Sequence, residues 1–416
     1  MTRRPTRREY LLALGISGTA GLAGCNTTES EPPTETDAGT ATPTEPDTPV
    51  DTPEQPSESE PIDADSIGGW PMFGANPAHT RTAPGETGPT ENVTTRWTFR
   101  ADNIIQTSPA VVDDTVYVGS HDGYVYALDA ADGSRQWAFE TGGVVQSSPA
   151  VVDDTVYVGS SDGYVYALNA ADGSRQWRFE TDGPVVSSPT VVDGIVYVGS
   201  NDNHVYALAA ADGSQQWRFG TRGRVQASPA VDDGTVYVGS LGQRMYALSA
   251  ADGSQQWVFE TGRYVYSSAT VAGGLVYVST SNNTEGTLFV LSASDGTEHR
   301  RFQARTNRGP TVAVADGTAY LGTTHDDIFA LDAATGAEQW RYRPGGWLAA
   351  ELSVVGDTVY AGCGDGIVRA LDTSDGSERW TVDTGALIRT PPAVVDGIVF
   401  VGNYDDTVTA IAEESR

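Results

Sequence analysis

The chain has 416 residues, enough for several ordinary domains or one long repeat array, and carries 55 acidic against 25 basic residues, a formal net charge of −30. All the basic residues are Arg and none is Lys. That balance argues against a nucleic-acid partner, because neutralising phosphates requires a basic face.

The opening stretch, MTRRPTRREYLLALGISGTAGLAGC, has a charged start, a short apolar middle and small residues before a break. This is the layout of an export signal rather than a membrane span. Arg7 and Arg8 ahead of Leu11 and Leu12 resemble the twin-arginine class, and Leu22-Ala23-Gly24-Cys25 resembles a prokaryotic lipobox. The resemblance implies a signal over 1–24 and a lipidated Cys25 anchoring the chain on the outer face of the cytoplasmic membrane. Residues 25–66 follow as an acidic Thr/Pro-rich stalk with almost nothing apolar to bury, expected to stay disordered and extended. Residues 67–416 then hold 42 acids against 21 Arg, a balance of −21. Such self-repulsion is screened when the Debye length falls to about 3 Å at 1 M salt. A Lys-free acidic composition resembles that of haloarchaeal proteins.

From Trp97 onward the chain repeats. Trp97, Trp137, Trp177, Trp217 and Trp257 recur every 40 residues; after a three-residue insertion Arg300 holds the sixth slot, and Trp340 and Trp380 resume the step. Eight copies of a VYVGS-like segment accompany them, from 116–120 to 399–403. Each unit reads as four short strands joined by Asp-Asp and Asp-Gly turns, and no stretch shows useful helical periodicity. The eighth unit has only three strands, and the missing one stands at 92–100 (NVTTRWTFR). The expectation is all-β: an eight-bladed β-propeller of four-stranded antiparallel blades, closed by that N-terminal strand.

The pattern AxDxxxGxxxW occurs as Ala127, Asp129, Gly133, Trp137 and again as Ala330, Asp332, Gly336, Trp340 and Ala370, Asp372, Gly376, Trp380. It resembles the tryptophan-docking repeat of the pyrroloquinoline quinone (PQQ) propeller superfamily, and WPMFGANPAHTRT at 70–82 resembles the lead-in of its small secreted members. The resemblance implies that Trp97, Trp137, Trp177, Trp217, Trp257, Trp340 and Trp380 each pack on a glycine turn of the neighbouring blade. In the enzymatic branch it implies PQQ on a Trp platform against a disulfide of adjacent Cys, with Ca²⁺ and an Asp base. Here Cys363 is the only Cys besides Cys25, the blade loops are minimal, and no Asp departs from the repeat as a dedicated base should. No cofactor and no catalytic residue are therefore expected. The closer resemblance is to lipid-anchored, cofactor-free propellers of the BamB type. It implies a non-catalytic monomeric disc that binds protein or glycan partners, with a PQQ- and Ca²⁺-dependent dehydrogenase as the alternative.

Residues present in every blade are explained by every blade needing them, so candidates for a site are the departures. The loop leading into the innermost strand and the loop between strands two and three should open on one face. Their departures are Gln106, His121, Gln146, Gln226, Tyr266, Arg308, His325, Trp347, Glu351, Arg389 and Tyr404. They line a polar, asymmetric mouth, weighted towards blades five to eight, suited to a polar or anionic partner. His121 and His325 lie five blades apart and are not expected to share a metal. Asp122, Asp162, Asp365 and Asp405 read as turn formers, and the Val-Val-Asp-Asp pairs at 111–114 and 151–154 as solvated turns. Trp70 and Trp347 are the two indoles with no place in the docking scheme.

Overall fold

The computed structural model describes residues 69–281, 286–304, 311–323, 327–343 and 351–414. The signal, the stalk and Cys25 lie outside them. Blade one consists of Ala110–Val112, Thr115–Gly119, Tyr124–Asp129 and Arg135–Glu140, and the same four-strand unit recurs to make eight antiparallel sheets. Burial follows position: every residue of the second strand is buried, while the outermost strand buries only its Trp. The innermost strands are neighbours in cyclic order, and Ala393–Val395 of blade eight lies beside Ala110–Val112 of blade one. The all-β, eight-bladed ring expected from the repeat is what forms. Asp113 and Asp114 take φ of 48° and 59°, the left-handed pair that a tight two-residue hairpin needs.

One irregularity recurs in all eight blades. The pairing of strands three and four shifts by a residue just before the Trp position, as between Ala127↔Trp137 and Leu128↔Arg135. A bulge raises local twist and re-aims the side chain beside it. The indole thereby reaches the next blade. Trp97 lies on Gly133, whose φ is 73° and whose absent Cβ would stand 2.5 Å from the ring. The Trp97 Nε1–H donates to Ala130 O at 2.8 Å, and Trp137, Trp177, Trp217, Trp257 and Trp340 repeat the arrangement one blade on. In the sixth slot Arg300 lies against Gly336 and its Nη2 donates to Ala334 O at 2.7 Å.

Closure uses the N-terminal strand as expected: Val93–Arg100 pairs with Thr407–Glu413. Because strand four of blade eight comes from the other end of the chain, that blade lacks the Ala-Asp-Gly turn that Trp380 would dock on. Pro89 takes its place, its carbonyl accepting from Trp380 Nε1 at 2.9 Å and from Tyr360 Oη at 3.2 Å.

A second closure was not anticipated. The lead-in runs as a strap around the turn-side end of the channel, against the inner edge of the innermost strands. Backbone N–H groups of Val111, Val151, Val231, Val271, Val314 and Val354 donate to carbonyls of Trp70, Pro71, Pro77, Ala78, Thr80 and Arg81 at 2.7–3.0 Å. Blade three is reached through His79 Nε2 and Thr190 Oγ1 at 3.2 Å, and blade eight through Gly397 N–H and Thr87 O at 2.8 Å. One short segment thus touches every blade and satisfies donors that a bare inner edge would leave unpaired. Its curvature needs left-handed backbone at Ala75, His79 and Arg81 (φ of 70°, 55° and 62°). Trp70, unassigned from sequence, is fully buried in the core shared by blades one and eight.

Two predictions follow from this architecture. Gly213→Ala places a methyl 2.6 Å from the Trp177 ring at φ 73°, whereas Gly194→Ala at φ 69° meets nothing within 4 Å. Denaturant unfolding should show about 1–2 kcal/mol lost for Gly194→Ala, from the left-handed backbone alone. Gly213→Ala should lose a further 1–3 kcal/mol or so from overpacking. His79 is wholly buried and held neutral, its pKa lowered from 6.5 to about 3 by desolvation, with the Arg81 charge adding to the shift. Between those values the unfolded chain binds a proton that the folded chain does not. Stability is therefore full above pH 6.5 and falls as pH drops, by about 1.4 kcal/mol per unit from this group. His79→Gln should remove that increment from the slope between pH 6.5 and 5 in urea titrations at fixed salt; an unchanged slope would refute it.

Candidate functional site

The two loop sets meet on the face opposite the strap. In blades one to four and eight, an N–H just past strand two donates to the leading loop: His121 to Ile104 O, Ser161 to Val144 O, Asn201 to Pro184 O, Leu241 to Arg224 O and Tyr404 to Leu387 O, all at 2.9–3.0 Å. Between blades, Val145, Val185, Val225, Val265 and Ile388 donate back to Ser120, Ser160, Ser200, Ser240 and Cys363 at 3.0–3.3 Å. These neighbouring loops are therefore stitched together, and side chains on the blades they join keep fixed spacings.

Gln106, Gln146, Gln226, His121, Arg389 and Tyr404 are half-buried along this rim, and Tyr266 is exposed. Some pair off locally. Gln226 Nε2 donates to Asn201 Oδ1 at 3.2 Å, the Arg389 guanidinium lies 5.5 Å from the Tyr404 ring centroid, and Tyr266 meets Tyr264 edge-on at 5.9 Å. The buried Nε2 of His121 has no hydrogen-bond partner among the described residues, and burial lowers the imidazole pKa. Arg308, His325 and Trp347 lie outside the described residues.

Glu351 belongs to the channel wall rather than the rim. In blades one to five the same position is a serine, and these form a belt: the N–H of Ser108, Ser148, Ser188 and Ser228 each donates to the hydroxyl of the next blade's serine at 2.9–3.0 Å. At the belt position of blade seven, Glu351 accepts from Arg81 Nη1 of the strap at 2.9 Å. Arg81 also stacks over Phe73, with 5.4 Å to the ring centroid. Glu351 thus partners a cation that the lead-in carries into the channel, a role invisible from blade-to-blade comparison because Arg81 stands outside the repeat.

The turn aspartates do the local work expected of them. Asp122, Asp162 and Asp202 accept the N–H two residues on through Oδ1 and the hydroxyls of Tyr126, Tyr166 and Tyr206 through Oδ2. In blade seven Arg369 replaces that Tyr and makes a two-pronged pair with Asp365. Asp405 instead pairs with Arg100 at 3.0 Å. Cys363 is free and buried; its thiol donates to Ala361 O at 3.5 Å, and burial pushes its pKa up to about 12. Among the described residues no three His, Cys, Asp or Glu side chains converge as metal ligands would. Hydroxyls, one Arg–Glu pair and a lone un-ionised thiol do not fit a quinone held with Ca²⁺ against a vicinal disulfide.

The family described as outer membrane protein assembly factor BamB matches four overlapping stretches, residues 90–177, 121–227, 207–343 and 325–416. The chain belongs to that family. Its propeller is similar to BamB from Moraxella catarrhalis at 20% identity, with a TM-score of 0.66 over 77% of this chain and 99% of that one. It is similar to the computationally designed protein Ika8 at 18% identity, with a TM-score of 0.67 over 76% and 99%. It is also similar to the quinohemoprotein alcohol dehydrogenase of Comamonas testosteroni at 17% identity, with a TM-score of 0.72 over 85% and 82%. At such identities the likeness is one of fold, and this fold serves both a BamB and a dehydrogenase. No curated protein matches the chain.

Two grooves on the turn face of this BamB-family propeller, of about 500 and about 380 Å³, lie between blades one and two and between blades eight and one. The first is walled by Asp113, Tyr117, Gln136, Asp153 and Asp154, residues that recur from blade to blade. Such grooves come with the blade junction and mark no individual site.

The Arg81–Glu351 pair generates a test. The two side chains are 4% and 24% exposed, so removing the carboxylate leaves a desolvated guanidinium. Glu351→Gln should cost on the order of 2 kcal/mol, at the low end for a buried pair because Glu351 keeps some solvent. Arg81→Met with Glu351→Leu should recover most of the loss. A single variant as stable as the parent in denaturant titration would show the pair to be incidental.

Proposed function

We propose that this BamB-family chain is an exported, lipid-anchored propeller that catalyses no reaction and holds protein or glycan partners on its looped face. The observation that carries the reading is the division of labour between the two ends of the channel. One end is threaded by the chain's own strap; the other presents the residues that break the repeat. The Leu22–Cys25 motif supports anchoring, and the stalk at 25–66 supports a disc held away from the membrane. The BamB name refers to outer membrane protein assembly; what transfers here is the mode, a rigid ring offering loops, not that particular task. The Lys-free acidic composition supports a salt-rich setting, where screening relieves self-repulsion.

The dehydrogenase reading has fold likeness on its side, but the described residues do not fit its cofactor. Titrating the full-length chain with PQQ and Ca²⁺ while following quinone absorbance and dye reduction should give neither saturation nor turnover. Saturable binding with turnover would overturn the non-catalytic reading. Partner capture tests the other half: chemical cross-linking on intact cells should recover a reproducible partner with the parent chain. The combined replacement of Arg308, Trp347 and Arg389 by Ala should lose it without lowering the unfolding midpoint. Cys25→Ser should release the chain from the membrane fraction. A partner recovered equally by the triple variant would retire that part of the rim.

A further inference from the structure

The rim is not uniformly acidic. In blades one to three its loops (101–108 with 120–125, 141–148 with 160–165, 181–188 with 200–205) carry five carboxylates, Asp102, Asp122, Asp162, Asp182 and Asp202, and no Arg. The two loops of blade four, 221–228 and 240–245, and the leading loop of blade five, 261–268, carry no carboxylate and four arginines, Arg222, Arg224, Arg244 and Arg263; the second loop of blade five carries one acid, Glu285. On a domain whose balance is −21, that sector stands out in sign.

Two of the four arginines face solvent. Arg222 and Arg224 are exposed, and neither guanidinium makes an ion pair or hydrogen bond with a described residue. Arg244 is committed to Glu260 and Arg263 is engaged as well, which leaves Arg222 and Arg224 as the uncompensated pair. Tyr264 and Tyr266, at 43% and 41% exposure, are the exposed large aromatic side chains among the described residues. The loops that bear them are tied together: Leu241 N–H donates to Arg224 O at 2.9 Å, and Val265 N–H donates to Ser240 O at 3.3 Å. Blade four has also lost the turn aspartate. Gly242 stands where blades one to three have Asp, and the hydroxyl of Tyr246, freed from that partner, accepts the Arg222 N–H at 3.3 Å. In blades one to three the same leading-loop N–H donates to the Asp carboxylate, so the substitution removes a negative charge while the tyrosine hydroxyl keeps the arginine loop tethered.

We propose that the loops of blades four and five recognise an acidic polysaccharide, Arg222 and Arg224 taking its carboxylates or sulfates while Tyr264 and Tyr266 lie against its sugar rings. Guanidinium forks match carboxylate and sulfate geometry, and a tyrosine ring offers an apolar face with a polar tip to a sugar. Neighbouring Gln226 and Asn201 supply amide groups for hydroxyls. A saccharide is favoured over an acidic protein because a protein interface needs an apolar core. The exposed large apolar side chains among the described residues are these two Tyr and Val258, and Val258 lies on an outermost strand. The proposal rests on the binding reading above and names the ligand class for one sector of that rim.

The test is calorimetric titration of the full-length chain with oligogalacturonate, dextran and poly-glutamate at one fixed salt concentration. Oligogalacturonate should bind and dextran should not. Arg222→Gln with Arg224→Gln should weaken binding at least tenfold, and so should Tyr264→Ser with Tyr266→Ser, each with an unfolding midpoint close to that of the parent. Were the tyrosine variant to misfold, the exposed arginine pair still decides. No binding of oligogalacturonate, or binding of poly-glutamate with equal strength and no response to the tyrosine change, would overturn the proposal, the latter pointing to an acidic peptide instead. Passing the arginine variant through the cross-linking assay separates the two levels. Partner capture kept without saccharide binding sinks the saccharide alone, whereas a parent chain that captures nothing from cells sinks the binding reading itself.

Discussion

The contact between an outer-strand indole and the glycine turn of the next blade sets the geometry on which the ring depends. It works because three local features coincide: a bulge aims the indole, a left-handed glycine leaves room for it, and a carbonyl of the same turn accepts its N–H. Each hydrogen bond is worth only about 1 kcal/mol net. Repeated around the ring, the set fixes the angle between blades, and eight blades then bring blade eight beside blade one. Where the sequence lacks one component, another group supplies it. Arg300 donates in place of an indole from blade five, and Pro89 accepts in place of a turn in blade eight.

A closed repeat array has a seam, and this chain covers it from one direction. Residues 93–100 complete the last blade, residues 87–89 fill the docking position that completion leaves vacant, and residues 70–81 line the inner edges. The strap costs left-handed backbone at three non-glycine residues and the burial of His79 and Arg81. Those costs are offset by hydrogen bonds to innermost strands whose inward edges would otherwise be bare. The arrangement also gives the channel two unlike ends, and that difference carries the functional reading.

Charge acts at two scales. Over the whole propeller, 42 carboxylates against 21 Arg create repulsion that salt must screen. On the rim the same residues are sorted by sector, aspartates on blades one to three and arginines on four and five. Aspartates at the turns are explained by the hydrogen bonds they accept from backbone and tyrosine, so their loss at Gly242 carries more information than their presence elsewhere.

The fold was legible in the chain to an unusual depth, because a 40-residue period with Val/Tyr strands, Asp-Gly turns and one Trp per unit leaves one regular architecture. The missing fourth strand of the eighth unit even disclosed how the ring closes. Residues that recur, such as Asp122 and Trp137, could be assigned to structure for the same reason, and Tyr266 and Arg389 could be set apart because they do not. What lay outside the repeat could not be read. WPMFGANPAHTRT has no period and no propensity that announces a strap; its course is decided by unpaired donors on six separate blades that only the assembled ring brings into a circle. Glu351 looked like a rim carboxylate until that strap delivered Arg81 to it. Sequence by itself determined the blades, their number and their seam, since those rest on local patterns repeated in register. The tertiary structure alone decided what fills the channel and which departures from the repeat stand together on its rim, because those follow from contacts between residues far apart along the chain.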